Sequence, residues 1–359
     1  MAIAVLAGMV VSSAPATAAP GSATYKVGCG NTKLLLKDFS KASRNTRTVI
    51  ILNPDKKAKC VYEVATPKSG AAGNLANLLS RGVVVVQGNG ATIKSKTMRP
   101  YAATIQVTQG SLTLRDVTVE SNTESAVKVR DLRNTESGQG TLGTLILAGN
   151  SVLSGPGQTG AQVDGTMEMQ DQSRVTGFHH SGIYNTGTLI MSGNSSISGN
   201  STRGAFGGGG VLNRGGTLTM KGSAAITGNT ATGYVTDSPG RYGTPEHSAY
   251  IGGVGGGITN DRDGHLTVQD QATVSDNHVV HASGAKFPVT SDESGKGGGI
   301  YNGGNATVAT GSIRQKAHPV RRPPPRHRLH RLTRPACPGA AGHPYPAAPQ
   351  PEAPEPAHR

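Results

Sequence analysis

The chain has 359 residues, of which 51 are Gly, four are Phe and none is Trp. This composition indicates many tight corners around an aliphatic core, and it fits poorly with a helical bundle or a doubly wound α/β sheet. The net charge is +14, but the basic residues before position 316 are scattered, which argues against a nucleic-acid-binding protein.

The N-terminus resembles a secretory signal. Met1 to Val11 is apolar, Ser12 to Ala19 is made of small residues, and Ala16-Thr17-Ala18 is a small-x-small cleavage site. We therefore predict a signal peptide over residues 1–19 and a secreted or cell-surface location, although the first basic residue is Lys26 and no positively charged segment precedes the apolar run. A lipoprotein or membrane anchor is the alternative. No Cys directly follows the run, however, and the run is too short for a transmembrane segment.

A capping helix is predicted after the signal. Leu35, Phe39 and Ala42 share one helical face, and Asn31 or Thr32 can cap the helix N-terminus. Such a helix would cover the open end of the β-structure that follows.

Cys29 and Cys60 bracket this helix and a first strand, Val49 to Leu52. In an exported protein they are expected to form a disulfide that staples the cap, residues 29–60, to the rest of the domain. Two buried thiols are the alternative, and no CxxC or Cys/His spacing predicts a metal site.

Three strand motifs then recur through the domain, which we place at residues 20–315. The first is a period-two element preceded by Gly, at Leu112, Leu145, Met167, Leu189, Leu218 and Leu266. The second follows at Val119, Val152, Val175, Ile197, Ile226, Val274 and Ile313. The third is Gly-(Ile/Val)-x-Asn, ending at Asn185, Asn213, Asn260 and Asn302. Three short strands per repeat, joined by Gly and Asn corners, predict a parallel β-helix, in which each turn is called a coil.

Two rows of asparagine are expected at equivalent corners. The first row is Asn122, Asn200, Asn229 and Asn277, with Gly155 and Phe178 at the corresponding place in two coils, and the second is Asn185, Asn213, Asn260 and Asn302. Because an amide can bond to the identical amide one coil away, we interpret these rows as structural ladders rather than as ligand-binding amides.

Two long insertions interrupt the repeats. Between the corner Asn and the next Gly-Gly-Gly, the chain runs through residues 201–207, 230–254 and 278–296 in consecutive coils. Both long insertions leave at the same corner, so we expect one lobe that serves as a contact surface, unless they are merely tolerated insertions. The lobe is rich in aromatic and titratable residues: Tyr234, Arg241, Tyr242, Glu246, His247, Tyr250, His278, His281, Lys286, Phe287, Asp292 and Glu293.

Residues 316–359 differ sharply from the repeats. They hold 12 of the 21 Pro, two of the 51 Gly, and eight Lys or Arg against two Glu. The switch comes just after Ile313, in the middle of a coil. It indicates either a frameshift product or a genuine disordered tail that binds anionic cell wall.

Three stretches carry a family resemblance: residues 83–93, residues 110–119 and the Gly-Gly-Gly-Ile-x-Asn coils. They resemble the secreted right-handed β-helix proteins of bacteria, with polymorphic outer membrane protein-like repeats, in the wider pectate-lyase-like superfamily. The resemblance implies an all-β fold, a right-handed single-stranded parallel β-helix. Ile197, Ile226 and Val274 stand where the polymorphic repeats usually have Phe.

A structural or adhesive function is the first hypothesis for this family. A polysaccharide lyase or glycoside hydrolase acting on an acidic polysaccharide is the second, and an extracellular or cell-wall polysaccharide is the expected partner in either case. No paired carboxylates, cofactor motif or complete calcium loop is recognisable, so we predict no catalytic, cofactor or metal site. The best acidic corner is Asp261-Arg262-Asp263-Gly264. A second cluster would be Asp164, Asp171, Arg174, His179 and His180.

Overall fold

The computed structural model describes residues 22–42, 47–64, 77–78, 82–95, 103–130, 142–204, 207–238, 247–292 and 295–314. The predicted signal (1–19), the predicted tail (316–359) and the lobe residues Arg241, Tyr242, Glu246 and Glu293 lie outside these ranges.

The regular structure of the described residues is almost entirely β-strand, and the strands form three parallel strips and a side sheet. The first strip contains Ser22–Val27, Arg47–Leu52, Val83–Ser95, Ser111–Glu120, Thr144–Ala148, Thr166–Met169, Thr188–Met191, Thr217–Met220, His265–Val268 and Asn305–Val308. The second strip contains Val61–Val64, the second halves of Val83–Ser95 and Ser111–Glu120, and then Val152–Ser154, Arg174–Thr176, Ser196–Ser198, Ala225–Thr227, Thr273–Ser275 and Ile313–Arg314. The third strip contains Asn77–Leu78, Ala103–Val107, Ser125–Val129, Thr159–Val163, Ser181–Asn185, Val211–Asn213, Ile258–Asn260 and Ile300–Asn302. The side sheet contains Ser201–Arg203, Thr230–Ser238, His247–Gly252, His278–Val280 and Val289–Asp292.

Strands of the first and third strips pair in parallel with the equivalent strand one repeat away, as the repeat predicts. Leu145 pairs with Met167 and Met167 with Leu189 in the first strip, while Asn185 pairs with Asn213 in the third. This all-β arrangement of long parallel sheets, with one helix in the described part, fits a parallel β-helix.

The second strip corrects one position of the predicted register. Leu153, not Val152, pairs with Val119 on one side and Val175 on the other, and Leu153 is fully buried while Val152 is half-buried. Because successive side chains of a strand point to opposite faces, a shift of one residue exchanges the inward and outward positions.

The corners between the first and second strips use left-handed backbone. Asp116, Asp171 and Asp270 have φ values of 52°, 55° and 56°, a conformation that Asp tolerates better than most residues. Their carboxylates accept hydrogen bonds from neighbouring corners, such as Gly149 N to Asp171 Oδ2 at 2.8 Å and Gly222 N to Asp270 Oδ2 at 2.9 Å.

The N-terminal end is closed as the sequence predicts. The helix Thr32–Ala42 buries Leu35, Phe39 and Ala42, and Asn31 caps it by accepting a hydrogen bond from Leu34 N at 3.0 Å. Cys29 and Cys60 form a disulfide with their Cα atoms 5.4 Å apart.

A single hydrophobic cluster runs through the coils from Val27 to Val274, built mainly from Leu, Ile, Val, Met and Ala. Near the cap, the buried Tyr62 hydroxyl donates to Val27 O at 2.7 Å and accepts from Asn53 N at 2.9 Å. None of the described residues belongs to a helix that is long and apolar enough to span a membrane.

Candidate functional site

The asparagine rows are buried hydrogen-bond chains. In the second row, Asn185 Nδ2 donates to Asn213 Oδ1 at 2.7 Å, Asn213 Nδ2 to Asn260 Oδ1 at 2.6 Å, and Asn260 Nδ2 to Asn302 Oδ1 at 2.7 Å. The row begins at Asn185 because Val163 occupies the same position in the preceding coil. Asn185 Oδ1 is therefore buried with no hydrogen-bond partner in the described part of the chain.

The first row joins three of its four predicted members. Asn200 Nδ2 donates to Asn229 Oδ1, and Asn229 Nδ2 to Asn277 Oδ1, each at 3.0 Å. Asn122 lies apart, three coils before Asn200, and its Oδ1 accepts from Ser95 Oγ at 2.8 Å. The joined amides bond to one another and to backbone groups, so their hydrogen bonds are used within the fold and not for a ligand.

The two long insertions share the side sheet. Thr230–Ser238 pairs antiparallel with His247–Gly252. His247–Gly252 in turn pairs in parallel with Val289–Asp292, which comes from the second insertion. The beginning of Thr230–Ser238 also lies between Ser201–Arg203 and His278–Val280, in parallel with both. Segments from three consecutive coils thus form one surface.

A small polar network ties the insertions together. Ser248 Oγ donates to Asp237 Oδ1 at 2.6 Å and accepts from Phe287 N at 3.1 Å, while Lys286 N also approaches Asp237 Oδ1 at 3.4 Å. The Ser248 hydrogen bond holds the pKa of Asp237 below its ordinary value, against the opposing effect of partial burial. Because Asp237 and Ser248 belong to the first insertion and Phe287 to the second, the network fixes their relative position.

His281 packs on the same surface. Its ring makes an edge-to-face contact with Tyr250, with ring centroids 5.1 Å apart and planes at 78°. A Cβ added at Gly295 would lie 2.8 Å from His281 Cδ2, so this glycine leaves room for the imidazole.

The side sheet carries an open cleft of about 590 Å³. Its lining residues are Arg203, Gly204, Thr232, Gly233, Tyr234, Val235, Val280, His281, Ser283 and Gly284. Arg203 gives it a positive charge, His281 an imidazole, Tyr234 a flat aromatic surface, and Thr232 and Ser283 hydroxyls. No carboxylate occurs among these described lining residues. Such a surface can bind a hydroxyl-rich ligand that bears anionic groups.

The structure places the predicted lobe residues in different roles. Tyr234 and His281 line the cleft, Tyr250 supports His281, and His247 pairs with Ser238 in the hairpin. Arg203 was not predicted, because it lies in the short connection 201–207. Its position three residues after Asn200 is the available signal, since the long insertions begin at the same place in later coils.

A second, smaller groove of about 190 Å³ lies on the outer face of the third strip. Its lining residues are Glu124, Ser125, Gln158, Thr159, Gln162, His180 and Tyr184. Glu124 Oε1 accepts from Lys128 Nζ at 3.2 Å, whereas Glu124 Oε2 is buried with no hydrogen-bond partner among the described residues. Of these residues only His180 stood out in the sequence, because the lining side chains come from separate coils.

The acidic positions singled out in the sequence do not gather. Asp164 contacts Thr186 Oγ1 at 2.8 Å and Arg130 at 3.7 Å, and Asp261 lies in a turn 4.0 Å from Arg214. Within the described ranges, no group of three or more His, Cys, Asp or Glu side chains could hold a metal ion.

Comparison of the chain with models of protein families, with curated proteins and with solved structures found no match.

Proposed function

We propose that this chain is a secreted or cell-surface structural and adhesive protein, and that its side sheet is the contact surface. The finer description of the fold belongs to this proposal: a right-handed, single-stranded parallel β-helix of the bacterial type that the repeats resemble. The right hand is supported by the general rule that crossovers between parallel neighbouring strands are right-handed.

An extracellular location is supported by the signal-like residues 1–19 and by the Cys29–Cys60 disulfide. Disulfides persist in oxidising compartments, and a small-x-small site after an apolar run is typical of export. Residues 20–315 form the β-helix in this proposal, and residues 316–359 are either a disordered tail or a frameshift product.

The observation that carries the adhesive function is the cleft on the side sheet. The regular coils bury most of their apolar side chains and bond their corner amides to one another, whereas the side sheet exposes Arg203 and His281 beside Tyr234. A sugar ring can stack on Tyr234 while its hydroxyls bond to Thr232 and Ser283. Arg203 favours a polysaccharide that carries carboxylate or phosphate groups, and the imidazole of His281 adds a hydrogen-bonding group.

The test is binding of the mature chain to a panel of soluble acidic and neutral polysaccharides and to insoluble bacterial cell wall. We expect the acidic members to bind, and Tyr234→Ala or Arg203→Ala to weaken that binding at least about tenfold, which is a common loss for a central contact residue. Arg262→Ala is the matched control, because Arg262 is exposed on a distant turn. Equal binding by all variants, or none to any polysaccharide, would contradict the proposal.

A polysaccharide-active enzyme is the second candidate, favoured by the unpartnered Glu124 Oε2 in the third-strip groove. A hydrolase needs a second carboxylate across its groove, and a lyase needs a base beside a neutralised uronate. Release of reducing or unsaturated ends by the wild-type chain, lost in Glu124→Gln, would replace the adhesive proposal. The assay should be run with and without calcium.

A further inference from the structure

The fold brings lysines that are dispersed along the sequence together at the end closed by the helix Thr32–Ala42. Residues 22–64 contain nine Lys or Arg against three Asp or Glu, whereas residues 65–315 contain 18 against 16. The capped end therefore carries a surplus of six positive charges, and the much longer remainder of the domain a surplus of two. An uneven distribution of charge creates a local field that attracts anions.

The capping helix presents a row of lysines to solvent. Lys33, Lys37 and Lys41 follow one another at intervals of four residues, which places them on one helical face about 6 Å apart along the axis. All three are exposed, and of the three Lys41 alone pairs with a described acidic side chain, Asp38, at 3.6 Å. Like charges four residues apart destabilise a helix slightly, so the row does not serve the stability of the helix itself.

A second group of lysines lies in the turn that leads to the disulfide. Lys56, Lys57 and Lys59 are exposed, and none of them forms an ion pair with a described acidic side chain. Lys56 and Lys59 have φ values of 52° and 57°, in the left-handed region where Gly or Asn is the usual residue.

The disulfide brings the turn close to the start of the helix. The Cα atoms of Cys29 and Cys60 are 5.4 Å apart, so the residue after Lys59 is joined to the segment just before Thr32. The first turn of the helix has no acidic residue, and the positive end of the helix dipole adds to the charge at this place. We call the exposed cations of the helix and the turn the cap lysines: Lys33, Lys37, Lys41, Lys56, Lys57 and Lys59.

We propose that the cap lysines form a docking surface for a linear, phosphate-bearing polymer of the cell surface. An ammonium group contacts a phosphate as a point charge without a fixed geometry, which suits a flexible chain. A polymer with a phosphate on each unit can contact several of these lysines at once, and the linked contacts reinforce one another.

An anionic membrane fits this surface less well. The helix buries Leu35, Phe39 and Ala42 in the domain, and its one exposed large apolar side chain is Leu36. A helix that lies in a membrane interface needs a free apolar face in addition to its basic face. The extracellular origin of the polymer rests on the proposed location of the chain, whereas the docking surface itself is independent of the cleft on the side sheet.

Titration of the full mature chain with long-chain inorganic polyphosphate tests the proposal. We expect binding that weakens steeply as salt rises, because salt competes with the lysines for the polymer. The triple variant Lys33→Gln, Lys37→Gln, Lys59→Gln should bind at least about tenfold more weakly at low salt.

The matched control removes three exposed cations from the coils, as Arg174→Gln, Lys221→Gln and Arg262→Gln. Both triple variants lose the same net charge and keep the basic residues 316–359. A difference in affinity between them therefore reports where the polymer binds, and the control should lose far less affinity than the cap variant.

Protection of lysines from acetylation, read by mass spectrometry, locates the contact directly. Bound polyphosphate should protect Lys37 and Lys57 but not Lys221, which is exposed on a distant coil. The cleft on the side sheet has no lysine among its described lining residues, so this measurement does not depend on whether the cleft binds a ligand.

Equal losses of affinity in the two triple variants would overturn the proposal, as would protection spread evenly over all exposed lysines. Binding to vesicles of anionic phospholipid without binding to polyphosphate would also overturn it. Far-UV circular dichroism of each variant distinguishes a lost contact from a lost fold.

Discussion

The first asparagine row predicts a large loss of stability when Asn229 is replaced by Ala. Its Oδ1 accepts from both Asn200 N and Asn200 Nδ2 at 3.0 Å, and its Nδ2 donates to Ile197 O, Thr227 O and Asn277 Oδ1 at 3.0 to 3.1 Å. Asn229→Ala removes all five hydrogen bonds in a fully buried site. Asn302→Ala, at the exposed end of the other row, removes only an acceptor for Asn260 and a bond to Gly304 O.

The magnitude follows from which groups lose their partners. In Asn229→Ala, the buried Asn200 N–H loses its side-chain acceptor, and an unsatisfied buried group costs about 1–3 kcal/mol. Asn200 Nδ2 keeps Val175 O and Ser198 O, and Asn277 Oδ1 keeps the backbone N–H of residue 229. With a net contribution of about 2 kcal/mol from the remaining bonds, we expect a loss of about 3–5 kcal/mol. Asn302→Ala should lose no more than about 1 kcal/mol, because water can replace its partners.

Urea unfolding followed by far-UV circular dichroism measures the difference, since the chain has no Trp for fluorescence. The comparison must be made under non-reducing conditions so that the Cys29–Cys60 disulfide stays closed. Hydrogen exchange at the amide of Asn200 adds a local reading, because a solenoid need not unfold in one step. Equal losses in the two variants would refute the argument that buried amide chains hold the corners.

Three further predictions rest on single contacts. Tyr62→Phe should cost about 1–2 kcal/mol, because two buried backbone groups lose the hydroxyl. Burial also raises the pKa of Tyr62, so the free energy of unfolding should fall more in the wild type than in Tyr62→Phe as pH rises above 10.0. Leu153→Ala should cost about 2–5 kcal/mol and Val152→Ala less than about 1 kcal/mol, and equal urea midpoints would contradict the register. The Ser248 hydrogen bond lowers the pKa of Asp237, so the ionised carboxylate should stabilise the side sheet at pH values above the ordinary Asp pKa of 3.8, and this stabilisation should be lost as the pH falls below that value. Ser248→Ala should diminish this acid response in hydrogen exchange.

Much of the register was predictable because the repeat marks it twice. A glycine precedes every strand of the first strip except Arg47–Leu52, and Gly-(Ile/Val)-x-Asn ends four of the eight strands of the third, so Leu189 and Asn213 could be aligned by hand. The error at Val152 arose in the second strip, which neither marker aligns. Val152 and Leu153 are both apolar, and Gly155 and Pro156 stand where other coils have Gly and Asn.

The candidate site was predictable only in outline. Its location followed from the insertion lengths. None of the repeat motifs in the described strands predicted that Thr230–Ser238 pairs antiparallel with His247–Gly252. Arg203 and Glu124 line a cleft and a groove only together with residues from other coils. Contacts between coils depend on the three-dimensional register, which a single coil does not reveal.

The first asparagine row and the proposed contact surface are physically linked. Asn200, Asn229 and Asn277 each directly precede a strand of the side sheet, at Ser201, Thr230 and His278. The amide chain therefore sets the spacing between the positions at which the three segments of that sheet begin. A disturbance at Asn229 should reach the cleft through Thr230–Ser238, while a disturbance of the second row should not. Under the proposed function, the regular repeat contributes by positioning the irregular surface that would bind the ligand.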